Sequence, residues 1–131
     1  MHRSRLAQLI IDCRQADPDP TALDGAARFW AGALGLDWER LPDPADAHYR
    51  QLDVPSGQPG ILVQAVRHPS RVHLDIESTD VDAEVRRLEA LGARRVAQVR
   101  NWWVMQAPTG HRFCVLRQQR GDLPREGHPW P

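Results

Sequence analysis

A strand, a capped helix ending in Leu-Gly, and further strands occur twice along this chain, and that repeat limits its fold more than any other feature. The first copy starts at residues 6–13, Leu-Ala-Gln-Leu-Ile-Ile-Asp-Cys. Alternation puts Leu9, Ile11 and Cys13 on one face, and Gln8, Ile10 and Asp12 on the other. Asp17-Pro18-Asp19-Pro20 ends that strand, because proline has no N–H for the ladder. Thr21 is the expected N-cap, with Asp24 three residues on in a capping-box position. Leu23, Ala27, Trp30 and Leu34 recur at helical spacing and Gly35 stops the turn, which predicts a helix over 22–34. Strands are expected at 48–54 and 60–66, divided by Pro55-Ser56-Gly57.

The pattern then restarts. Residues 71–77 read as a strand, with Val72, Leu74 and Ile76 on one face and His73, Asp75 and Glu77 on the other. Asp80 caps a helix with an apolar stripe of Val81, Val85, Leu88 and Leu91, and Gly92 ends it. Residues 93–99, 102–106 and 112–117 are further strands, the last two joined by the Pro108-Thr109-Gly110 turn. One helix cannot cover a sheet alone, so two such halves are expected to pair, within the chain or between chains. The expected fold is α+β: two βαβββ modules forming a curved mixed sheet, helices on the outer face and a concave ligand pocket inside. The domain spans 6–117, with module 1 at about 6–67 and module 2 at 71–117. Residues 118–131 are polar and read as a tail without a core of its own, with Trp130 as a residue that can dock.

Length and composition fit one globular domain: 131 residues, 41% apolar and 26% charged. Seventeen basic residues balance 17 acidic ones, which argues against a nucleic-acid partner, since that needs a basic excess on one face. The basic N-terminus runs into an apolar stretch that Asp12 interrupts, too short for a signal peptide or a membrane span. The two cysteines, Cys13 and Cys114, form no CxxC pair and read as reduced thiols in a cytoplasmic protein.

With the helices on one face of the sheet, the opposite face carries Gln8, Gln64, His73, Asp75 and Cys114. Gln8 and His73 sit in the first strands of the two modules, and Gln64 and Cys114 in the last. Asp75 and Glu77 can act as general bases if buried, although the plainer reading is a solvated strand end, above all for Glu77. Trp102 and Trp103 are adjacent on one strand and point to opposite faces; Trp103 is assigned to the pocket. His48, His68 and His111 lie at strand ends or turns and show no metal spacing.

The stretches His73-Leu-Asp-Ile-Glu77, Leu88-Glu-Ala-Leu-Gly-Ala93, Trp103-Val-Met-Gln-Ala-Pro-Thr-Gly110 and Phe113-Cys-Val-Leu116 resemble a glyoxalase-like domain of the vicinal oxygen chelate superfamily. The first half fits through Gln8 to Cys13, Phe29-Trp30 and Leu34-Gly35-Leu36, so the resemblance covers residues 6–117. It implies a divalent-metal site on four strands, at Gln8, Gln64, His73 and Cys114. Two amides, an imidazole and a thiol suit a hard cation poorly, although zinc accepts His73 and a Cys114 thiolate. The leading expectation is therefore a small-molecule-binding protein without a well-formed metal centre, its ligand held by Gln8, Gln64, His73, Asp75, Trp103 and Cys114. The alternatives are a metal-dependent isomerase, lyase or dioxygenase, and a structural or regulatory dimer with a vestigial cavity. A homodimer is expected in each case.

Overall fold

The computed structural model describes residues 1–15, 17 and 19–131. Pro18 of the expected strand break lies outside the described residues. The described elements, in chain order, are β1 (His2–Arg14), α1 (Pro20–Leu34), β2 (Trp38–Arg40), a 3-10 turn (Pro44–Asp46), β3 (Tyr49–Leu52), β4 (Gly60–Val66) and β5 (Arg71–Ser78). Then follow α2 (Val81–Ala90), β6 (Arg94–Val99), β7 (Trp102–Gln106), β8 (Arg112–Leu116), α3 (Leu123–Glu126) and β9 (His128–Trp130). The class is α+β, with two βαβββ runs, β1-α1-β2-β3-β4 and β5-α2-β6-β7-β8. Contacts divide the chain into two compact units, Met1–Gln8 with His73–Pro131, and Leu9–Val72.

In the unit Leu9–Val72, β2, β3 and β4 pair antiparallel. Helix α1 lays Leu23 and Ala31 on Leu52 and Val63, flanked by Ile11, Cys13, Trp30 and Trp38. Asp19, not Thr21, is the N-cap: its carboxylate accepts from the Thr21 N–H at 2.9 Å. Asp24 therefore serves no capping box. It accepts from Arg50 Nε at 2.6 Å and pairs with Arg40. Hydrogen bonds from Arg40 and Arg50 outweigh the opposing effect of burial and hold the Asp24 carboxyl down at about 2. Leu34, expected on the apolar stripe, is exposed, because it closes the helix at Gly35 in its left-handed conformation.

In the other unit, β5 pairs parallel with β8, β8 antiparallel with β7, and β7 antiparallel with β6. Helix α2 is capped by Asp80, whose carboxylate accepts from the Ala83 N–H at 3.0 Å. It sets Val85 and Leu88 against Met105, Phe113 and Val115. Burying each such side chain stabilises the unit by roughly 1.5–3 kcal/mol. Leu91 departs from the expected stripe: it is the C-cap, and it is exposed. Leu74, on the face expected under a helix, is also exposed, and so is Val72, the last residue of the unit Leu9–Val72.

Two expectations for this unit change. Glu77 is fully buried instead of solvated, because Arg5 Nε donates to Oε1 at 2.7 Å and the Gln119 N–H donates to Oε2 at 2.6 Å. Residues 118–131 are built into the unit. Strand β9 pairs antiparallel with His2–Ser4 of β1, Leu123 is fully buried, and Trp130 Nε1 donates to Ser4 Oγ at 2.8 Å. The Arg120 guanidinium also donates to the carbonyls of Leu6 and Ala7, covering backbone acceptors of β1.

Candidate functional site

The strand register of the unit Met1–Gln8 with His73–Pro131 determines which side chains share a face. Asp75 stands beside Cys114, Cys114 beside Val104, and Val104 beside Ala97. Paired residues project to the same side. His73, two residues before Asp75, projects with it. Gln8 reaches the same place, its Nε2 donating to Asp75 Oδ2 at 2.8 Å. Of the expected site residues, Gln8, His73, Asp75 and Cys114 are thus gathered on one face of one unit.

The ligating atoms of His73, Asp75 and Cys114 all lie within 4.8 Å of one another. His73 Nε2 is 3.4 Å from Asp75 Oδ1. Asp75 is 5% exposed, and its Oδ1 has no hydrogen-bond partner among the described residues. A buried carboxylate oxygen left in that condition is costly unless something else uses its lone pair. A separation of 3.4 Å is long for a hydrogen bond, and it matches the roughly 3.3 Å edge between nitrogen and oxygen ligands of a tetrahedral zinc ion. Imidazole nitrogen, carboxylate oxygen and thiolate sulfur are the donors of a borderline ion such as zinc. Three protein ligands also leave a fourth position open. The residues present fit a metal, and the fit depends on Asp75, which was not among the ligand positions implied by resemblance.

Gln64 belongs to the unit Leu9–Val72, where its Nε2 donates to Tyr49 Oη at 3.2 Å. Trp103 is placed against its assignment to the pocket. It pairs with Val115 and packs against the α2 core, so it projects away from Cys114. There it lines a separate cavity of about 630 Å³ with Ser78, Asp80, Gln98 and Arg117. Trp102 takes the face that carries Cys114, paired with Val99 across β6. The sequence held a signal for this. The hairpin is symmetric about Thr109, so Val104 opposes Cys114 and Trp102 falls on its side. His68 and His111 bond locally, to the Pro69 carbonyl at 2.8 Å and to Thr109 Oγ1 at 2.7 Å.

Among the described residues, no helix is long and apolar enough to cross a membrane. A search of curated proteins finds no significant match. Solved structures show the same fold at low identity. A hypothetical protein from Bacillus halodurans C-125 superposes with a TM-score of 0.60 at 10% identity, over 91% of this chain and 98% of that one. Methylmalonyl-CoA epimerase from Mycobacterium tuberculosis does so with a TM-score of 0.57 at 18% identity, over 88% of each chain. A glyoxalase/bleomycin resistance protein/dioxygenase superfamily member from Vibrio splendidus 12B01 gives 0.52 at 15% identity, over 88% of this chain and 99% of that one. The family model for the glyoxalase-like domain matches residues 8–116, and the chain belongs to that family.

Proposed function

We propose that this chain binds an oxygen-bearing small molecule at a centre formed by His73, Asp75 and Cys114, and that these side chains take a zinc-class divalent ion there. The observation behind this is the buried Asp75 Oδ1, without a hydrogen bond and 3.4 Å from His73 Nε2. Asp75 supplies the negative charge that a pair of glutamines lacks. Gln8 holds the other carboxylate oxygen and so sets the plane in which Oδ1 faces the cluster. Val104 forms an apolar neighbour beside Cys114. An ion bound there supplies Lewis acidity at its open position, which suits isomerase or lyase chemistry on a substrate carbonyl.

Metal analysis of protein purified without chelator, followed by zinc titration, tests this. One equivalent of zinc is expected, lost in His73→Ala and Asp75→Asn. Asp75→Asn keeps the side chain's shape and removes its charge. Wild-type protein with no stoichiometric metal and no measurable zinc affinity would overturn the proposal.

A second reading is a metal-free pocket in which these groups hold a ligand by hydrogen bonds. It is favoured by the bond from Gln8 to Asp75, which already satisfies one carboxylate oxygen. On that reading ligand binding is unchanged by chelator. Pairing of two copies belongs to either reading, and sedimentation at high concentration tests it.

A further inference from the structure

We infer that the site selects carboxylate ligands with a planar apolar body, and that Arg112 is the residue that recognises the carboxylate. The inference builds on the proposed centre and names the class of molecule it takes.

The face carrying His73, Asp75 and Cys114 is organised in rows across β8, β7 and β6. The middle row is Cys114, Val104 and Ala97. One row toward the hairpin turn are Arg112, Gln106 and Arg94. One row the other way are Leu116, Trp102 and Val99. Rows on one face of a sheet lie about 7 Å apart. The centre is therefore flanked by a cationic row on one side and an apolar, aromatic row on the other.

The cationic row contains no acid. Arg94 Nη2 donates to Gln106 Oε1 at 2.9 Å, which leaves that amide oxygen occupied. Arg112 is half-buried, two residues from Cys114, and its guanidinium has no hydrogen bond or ion pair among the described residues. The five guanidinium N–H donors of Arg112 are therefore available to an acceptor on a ligand lying across this face. Its planar fork matches a carboxylate in a bidentate way. On the other flank the Trp102 ring offers a flat apolar surface, with the Arg100 guanidinium 5.6 Å from its centroid. A molecule reaching from Arg112 past Val104 to Trp102 passes over Cys114 and next to Asp75.

The test is calorimetry with 2-naphthoate and its neutral counterpart 2-naphthamide, on zinc-loaded protein and on protein kept with chelator. The acid is expected to bind at least tenfold more tightly than the amide. Arg112→Gln should abolish that preference and Arg112→Lys should restore part of it. Trp102→Leu should weaken both compounds together. The zinc stoichiometry and circular dichroism of each variant report whether it has folded. Equal affinity for acid and amide in the wild type would overturn the inference. So would a preference that persists in Arg112→Gln, since the ion and not the arginine would then be holding the carboxylate. If no zinc binds but the preference is present and depends on Arg112, the ligand class stands and the metal centre falls. If zinc binds and the preference is missing, the reverse holds.

Discussion

Gln8 donates its amide N–H to Asp75 Oδ2 at 2.8 Å and thereby turns Asp75 Oδ1 toward His73. A contact across 67 residues of sequence fixes the orientation of the one carboxylate that gives the proposed centre its charge.

That contact predicts a graded effect. Gln8→Leu should lower zinc affinity about 10- to 100-fold without abolishing it, as removing a group that orients a metal ligand commonly does. Competition with a chromophoric chelator measures it. An unchanged affinity would mean that Asp75 is held by its backbone alone.

The C-terminal segment should behave as part of the fold. Leu123 is fully buried in α3, so Leu123→Ala should cost about 2–5 kcal/mol in urea unfolding. A change within error would show that residues 118–131 detach without consequence for the rest.

Asp24 predicts a pH dependence. Its carboxyl is lowered from 3.8 to about 2, chiefly by the hydrogen bond from Arg40, against burial and aided by Arg50. A depressed carboxyl contributes stability that is complete above its ordinary value and is lost as pH falls through its folded value. Arg50 is 2% exposed, so Asp24→Asn should cost about 2 kcal/mol at neutral pH. The gap between wild type and variant should close as pH is lowered from about 4 to about 2. Unfolding curves across that range check this, and a gap independent of pH would remove the ion pair as its source.

Much of the candidate site was legible in the chain. Strict alternation in residues 71–77 put His73 and Asp75 on one face, and the apolar run around Cys114 put it on the matching face of another strand. Alternation says which side a residue takes, and it does not say which strands become neighbours. The repeat therefore matches Gln64 with Cys114, whereas Gln64 bonds Tyr49 in the unit Leu9–Val72. Alternation alone leaves Trp102 and Trp103 equivalent; the hairpin register about Thr109 is what sets Trp103 opposite Val115 and Trp102 on the Cys114 side. Glu77 looked like a solvated strand end, since nothing near it in sequence announces Arg5 or the Gln119 N–H.

By itself the sequence determined the repeat, the helices and their glycine stops, and the α+β class, because these follow from local periodicity and from backbone preferences of single residues. It also determined the face shared by His73 and Asp75. Only the tertiary structure decided that Gln8 grips one oxygen of Asp75, that the other stays buried without a hydrogen bond, and that Arg112 stands unpaired beside them. Those are relations between strands, created by register and burial, and no window along the chain contains both partners.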